Sequence, residues 1–428
     1  MSFRLTRRRV LVGAAQAGLV AAMPRFMIGG AQAAGETLSV FGPLPPDPAP
    51  PGAAKFSEEA FAAWKAAHDA NVEYDLVAWP QLHDRMATAF ASGSAPWDIC
   101  YNCGWVPEFA GYLEPFADDL PKELVDDLPP SSFSTVTVDG KKYGAIFTLS
   151  LLTLFYNKEH LDQAGITAPP KDWDELKRVA KELTHDGQYG WVSNYGDPAG
   201  IGGTASQWMV FLQQAGGKVY DESGQPAFNN AAGVDALQMM IDLMPYTDPG
   251  AISYVGINDA TNVLLANRAS MMMNWPFMWS PAQDPNQSQV VGKLAAAVLP
   301  AGPAGTASID GTDAWTVLKG SKDPAKAREL IEFYLSPEVQ KAQVLDTGWL
   351  PIRLSVLADP EVQAKTPLAA VVLEQAKNPY DSFITADYNE VTVAIGTEVQ
   401  KALQGEKTAA EAMAAADEAV AAIVKRRG

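Results

Sequence analysis

The sequence predicts an α/β fold built on parallel sheet, and three observations support this. From Leu38 to Ile99 strand-like and helix-like segments alternate in a β–α–β–α–β order, which places helices over a mostly parallel sheet. The second half repeats that grammar with different content and no sequence repeat. Of the 428 residues 47% are apolar and eleven are Trp, ample material for a large core spread over about two to three average domains.

Each element has a local reason. Leu38-Ser39-Val40-Phe41 alternates and reads as the first strand. The Pro-rich stretch 42–52 excludes helix and central strand and must be loop. Residues 57–68 form a helix with Phe61, Trp64 and Ala67 on one face and Ser57, Glu58 and Glu59 at its start. Residues 72–77 alternate again, a second strand. Leu82, Met86, Ala89 and Phe90 set a helix over 81–92, and Pro96-Trp97-Asp98-Ile99 leads into the next strand. Further on, Asp172 and Glu175 form an Asp version of the capping box ahead of Leu176, Val179, Ala180 and Leu183. Helices over 206–215 and 231–244 are split by a glycine-rich turn. The strand 269–273 leads to Asn274-Trp275-Pro276, and helices follow over 323–335 and 337–344. A last helix, 408–425, starts at a Thr408/Glu411 capping box and turns Met413, Val420, Ile423 and Val424 to the core.

The N-terminus reads as a cleaved export signal over residues 1–33. Arg7-Arg8-Arg9 before Val10-Leu11 approximates a twin-arginine motif, a short small-residue apolar segment follows, and Ala31-Gln32-Ala33 suits a signal peptidase. An ordinary secretory signal and an organellar presequence are the competing readings. No Cys lies near the cleavage point, so no lipid anchor is expected, and no later run is long enough to span a bilayer. A soluble periplasmic protein follows. Losing residues 1–33 removes five arginines and no acid, moving the formal net charge from −18 to −23. Such a chain lacks the basic footprint of nucleic-acid binding and has no general attraction to anionic lipid.

Cys100 and Cys103 form Cys-Tyr-Asn-Cys, for which three readings compete. A metal site lacks further ligands at workable spacing, since His68, His83, His160 and His185 are scattered. A redox pair lacks a thioredoxin-like context. A short-loop disulfide, formed in an oxidising compartment, is favoured over two free thiols. No metal and no cofactor are expected.

Several phrases in fixed order carry a family resemblance. Within 144–183 an apolar run ends in Tyr156-Asn157-Lys158, then come Ala164-Gly165-Ile166 and a Pro169-Pro170 brake before a helix. Around it lie Ala91-Ser92-Gly93-Ser94-Ala95-Pro96-Trp97-Asp98-Ile99 and Glu108-Phe109-Ala110-Gly111-Tyr112-Leu113-Glu114-Pro115-Phe116. Later come Ala266-Asn267-Arg268-Ala269-Ser270-Met271, Gly311-Thr312-Asp313-Ala314-Trp315, Ser336-Pro337-Glu338-Val339-Gln340 and Gly348-Trp349-Leu350-Pro351. Each phrase is weak alone. In this order they resemble the family 1 extracellular solute-binding proteins, the maltose-binding-protein-like receptors of ABC importers. Trp97, Asn267 and Thr312 depart from the family pattern.

That resemblance implies a two-lobed periplasmic binding protein fold whose lobes are discontinuous and joined by hinge strands. Carried over, the first α/β lobe is 36–147 plus 308–340 and the second 150–305 plus 350–428. The hinge crossings fall at 146–152 and 302–305. It also implies a monomer that captures a carbohydrate or polyol in the interlobe cleft, closes over it, and hands it to ABC permease subunits.

Stacking on sugar C–H faces needs flat aromatic rings, and the hydroxyls need planar polar groups. Where the family's ligand loops fall, the chain offers Trp79 with Gln81, Tyr101 with Asn102 and Trp105, Asn274 with Trp275, Asp313 with Trp315, and Trp349 with Arg353. Core packing competes for every one of these rings, whereas Trp64 and Trp173 sit on helices as core. Asp98 is balanced between ligand binding and loop capping. Arg353 is the residue that could change the ligand class, toward an anionic polyol derivative such as a glycerol phosphate ester or a sugar acid; a surface ion pair is its bland alternative. No GxSxG elbow, HExxH pair, P-loop or Rossmann glycine pattern is present. The expectation is a non-enzyme, with a secreted sugar-active hydrolase as the alternative from another class.

Overall fold

The computed structural model describes residues 36–43, 58–129, 132–199, 202–311, 313–379 and 385–427. The expected leader 1–33, most of the Pro-rich loop, and Thr312 lie outside the described residues. In chain order the strands are β1 (Glu36–Pro43), β2 (Ala70–Val77), β3 (Ile99–Cys103), β4 (Leu113–Glu114), β5 (Thr137–Val138), β6 (Lys141–Lys142) and β7 (Gly144–Ile146). They continue with β8 (Thr153–Asn157), β9 (Tyr189–Trp191), β10 (Ala269–Asn274), β11 (Leu294–Ala297) and β12 (Asp313–Leu318).

Two mixed sheets organise the molecule. The first runs β2-β1-β3-β12-β4 with β7 also paired to β12, the second runs β11-β8-β10-β9, and β5-β6 is a separate hairpin. Strands β1, β2 and β3 are parallel, so their C-terminal ends share one edge. Strand β12 runs against β3, with Asp313 opposite Cys103. In the second sheet β9 and β10 are parallel, while β8 and β10 are antiparallel with Asn274 opposite Thr153.

The helices form for the reasons their caps and faces supply. The helix Leu82–Ala91 buries Leu82, Met86 and Phe90. Asp172 accepts from the Glu175 amide at 2.9 Å, and Glu175 reaches back to the amide of Lys171, one residue earlier than a standard box. Thr408 and Glu411 exchange both bonds of the expected capping box. Strands β8, β9 and β11 were not predicted; β8 is buried on both faces at Leu154 and Phe155, so it reads as a continuous apolar run without alternation. Met271 and Met273 of β10 pack toward the helices Thr204–Gln214, Ala231–Leu243, Tyr388–Leu403 and Ala409–Arg427. Met272 points to the other face, among residues of Ile257–Leu265 and Leu368–Gln375. Asn267, where the family uses Gly, has φ +61°, a left-handed conformation that Asn tolerates. The departure preserves the turn.

The chain leaves the first sheet through 147–152 and returns through 306–311. The two passes touch where Leu151 bridges Asp310, and the Gly311 amide donates to Ser150 O at 2.7 Å. The expected second crossing at 302–305 is corrected: Gly302 and Gly305 exchange two 3.0 Å backbone bonds. They close a tight turn beside Gln214, so the return starts later.

The expected disulfide is also corrected, because Cys100 and Cys103 are both free and buried. Both lie in β3, whose successive side chains point to opposite faces. Three residues of strand separate their Cα atoms by roughly 10 Å, beyond the reach of an S–S bond. Among the described residues no helix is long and apolar enough to cross a membrane, and no cluster of metal-ligating side chains occurs.

Candidate ligand-binding cleft

The C-terminal strand edges of both sheets converge on the two crossings. Ligands of α/β proteins characteristically sit beyond such edges. From the first sheet come Tyr101, Cys103 and Asp313. From the second come the segment after β9, the start of Thr204–Gln214, and Trp275 after β10. Gly311 is the meeting point. Cys103 Sγ donates to its carbonyl at 3.0 Å. A Cβ placed on Gly311 would fall 2.8 Å from Ser150 Oγ and 2.9 Å from Trp275 Nε1. Only glycine lets the crossing pass this close to the indole.

The first-sheet side is an aromatic wall in which Trp79, Tyr101, Thr148 and Asp313 are already bonded to one another. The Trp79 indole N–H donates to Tyr101 Oη at 3.3 Å. Tyr101 in turn donates to Asp313 Oδ1, and Thr148 Oγ1 donates to Asp313 Oδ2 at 2.9 Å. The Asp313 carboxyl is pushed up to about 6, because burial outweighs the donors that hold its charge. Burial, then the Asp313 charge, raises the Tyr101 and Cys103 protons well above their ordinary range. Phe147 stacks on Trp315 at 5.1 Å and on Trp349 at 6.3 Å between ring centres, with Tyr101 edge-on to Trp315.

The second-sheet side holds buried polar atoms that lack partners. Trp275 Nε1, Asn194 Oδ1, and both amide atoms of Gln207 are among them. Such orphans are few in folded proteins, and each is costly unless water or a ligand completes it. Trp275 is 5% exposed. A Cβ on Gly202, whose φ is +97°, would stand 3.2 Å from its ring. Gly202 donates to Ser206 Oγ at 3.1 Å and accepts from Asn194 Nδ2. Ser206 bonds Tyr388, whose hydroxyl is raised by burial and lies within the electrostatic reach of Cys103.

The remaining sequence candidates sort clearly. Asn102 is buried in β3, accepts from the Trp105 amide at 3.0 Å, and keeps an unpartnered Nδ2. Trp105 packs against Trp79 at 6.0 Å. Gln81 is exposed and lines a surface groove beside Trp97. Asn274 donates to Thr261 at 2.9 Å and caps the Trp275 amide, so it shapes the loop. Asp98 is bonded by Ser39 N, Ser321 Oγ and Lys322 N, the capping alternative. Arg353 pairs with Asp127 at 3.0 Å and donates to Leu335 O. That arrangement ties a loop down and leaves no free fork. Every arginine whose side chain is described faces an acid in the same way. Asn194 and Gln207 were missed. An isolated amide in the otherwise apolar run Trp208-Met209-Val210-Phe211-Leu212, just after a Gly-rich turn, was the available signal.

Comparison with known proteins places this architecture. Residues 49–341 match the family described as bacterial extracellular solute-binding protein. The chain belongs to that family. Among its relatives is a probable amino-acid ABC transporter periplasmic-binding protein from Sinorhizobium fredii, 29% identical over 83% of both chains. Maltose-bound MalE3 of T. maritima superposes with a TM-score of 0.79 at 26% identity, covering 90% of this chain and 98% of that one. A Thermotoga lettingae ABC transporter solute-binding protein bound to α-D-tagatose gives 0.78 at 28% identity, covering 91% and 99%. These family neighbours are two-lobed and maltose-binding-protein-like.

Proposed function

We propose that the chain is the exported receptor of an ABC importer, capturing a neutral sugar or polyol between two lobes. The observation that carries this is the lining of the cleft: aromatic rings on one side, unpartnered neutral hydrogen-bonding groups on the other, and no unpaired guanidinium among the described arginines. Rings cover C–H faces and amides satisfy hydroxyls. A phosphate or carboxylate would call for a cation, so the anionic-polyol alternative loses its main support with Arg353 tied to Asp127. The same absence weighs against an α-carboxylate ligand, whatever the Sinorhizobium relative carries. Maltose and α-D-tagatose, the sugars bound in the two structural neighbours described above, favour the neutral reading.

The lobes would be 36–147 plus 308–340 and 150–305 plus 350–428, with 147–152 and 306–311 as hinge crossings. Ligand contacts to both sides would favour closure. Periplasmic residence after removal of residues 1–33, a monomeric state, and delivery to permease subunits complete the reading. A thermal-shift panel of monosaccharides, disaccharides, polyols, sugar acids, glycerol phosphates and amino acids tests it. A tight ligand at about 100 times its Kd adds roughly 2.7 kcal/mol. The expected shift comes from a neutral sugar or polyol; a shift from anionic compounds alone would sink the neutral assignment.

A further inference from the structure

Gln207 lies in the first turn of the helix Thr204–Gln214, is 1% exposed, and has neither Nε2 nor Oε1 bonded to a described residue. A buried amide open at both ends is costly in a free protein. Its position shows what could close it. Gln207, Phe211 and Gln214 follow the i, i+4, i+7 spacing of one helix face. Gln214 fixes where that face looks: its Nε2 donates to Ala307 O at 3.1 Å and its Oε1 accepts from Trp173 Nε1 at 2.7 Å, while its backbone carbonyl accepts from Ala304 N at 2.8 Å. At its last turn that face meets the returning crossing, with Phe211 packed edge-on against the neighbouring Trp173. At the other end of the helix, Gly202 abuts the Trp275 ring, and that ring abuts Gly311. The crossing thus meets the helix at its last turn, through Ala304 and Ala307, and comes near its first turn by way of Gly311 and Trp275. Gln207, about 10 Å up the helix from Gln214, is placed at the Gly311 end, where Trp275 Nε1 and Asn194 Oδ1 are also unpartnered.

We propose that Gln207 is a specificity-determining residue of the cleft, its carbonyl accepting from one ligand hydroxyl while its NH₂ donates to the neighbouring one. The inference rests on the sugar-or-polyol reading above. One planar amide offers a donor and an acceptor side by side, a match for two adjacent hydroxyls of defined relative configuration. An epimer that misplaces one hydroxyl leaves half of the amide unpaired, and a site built this way discriminates strongly.

The test is Gln207→Met, which keeps length and removes both polar atoms. Calorimetric titration of the wild-type chain and the variant would use ribitol, D-mannitol, D-glucitol, D-tagatose and maltose, with Tm measured on each free protein. The expected result has opposite signs. The free variant melts at or above the wild-type Tm, because an unpartnered buried amide has gone. Its affinity for the best wild-type solute falls about tenfold or more, and its preference among the binding solutes narrows. A lowered Tm or a failure to fold would overturn the inference, since it would mean the amide serves the protein itself. Affinities within about threefold of wild type would overturn it too. Silence of the wild-type chain across all five solutes would overturn the functional reading and this inference with it.

Discussion

The two sides of the cleft differ in how complete they are without a ligand. On the first-sheet side, Trp79, Tyr101, Asp313 and Thr148 form a closed chain of hydrogen bonds in which every donor has its acceptor. Across the hinge, Trp275, Asn194 and Gln207 present buried polar atoms with none. Both sides are polar and, apart from the exposed Trp79, both are buried, so composition alone does not separate them. The difference lies in satisfaction: the first side holds the crossings in place, and the second is left to be completed from outside. Mutations should therefore act on stability on one side and on affinity on the other.

The largest effect is expected from Tyr101→Phe. It leaves the Trp79 indole and the Asp313 carboxylate without their shared partner and should cost about 2–3 kcal/mol of unfolding free energy. Denaturant melts with an unchanged midpoint would break the contrast. The matching change opposite, Trp275→Phe, removes a donor that no described residue accepts from. It should leave the melt closer to wild type while weakening the preferred solute by about fivefold to tenfold. A larger stability loss than in Tyr101→Phe would reverse the assignment of the two sides.

The smallest effect sharpens the comparison through pH. The folded Asp313 carboxyl sits at about 6 against an ordinary 3.8. A raised carboxyl stabilises the fold in its protonated form. That contribution is complete below about pH 4 and is lost as pH rises through about 6. Measured against Asp313→Asn, wild-type stability should decline across that window and level off above it. A constant difference between the two proteins from pH 4 to 7 would show that Asp313 does not titrate there.

Much of the architecture was legible because local chemistry declares it. Asp172 with Glu175 and Thr408 with Glu411 announce helix starts, and the apolar spacing of Leu82, Met86 and Phe90 gives a buried face. The candidate site was half legible. Tyr101, Trp275 and Asp313 stand in recognisable phrases, and the structure brings them to the crossings. Asn194 and Gln207 stand in no phrase, and their neighbours read as core. The disulfide expectation failed on a one-residue argument, since Ile99-Cys100-Tyr101-Asn102-Cys103 is a strand and an odd spacing within it separates the two thiols. Arg353 and Asp98 could not be resolved from sequence, because their partners Asp127 and Ser321 lie far away along the chain.

The strand order also bears on when this molecule can fold. β12 sits between β3 and β4, with Trp315 opposite Tyr101, so the N-terminal sheet is missing an inner strand until nearly three quarters of the chain has been made. Until then β3 presents an open edge, the kind of surface that invites pairing with other chains. Closing it requires a long loop to come together, which slows folding more than it weakens the final state. Synthesis must therefore handle a polypeptide that stays sticky at its beginning until its distant end arrives.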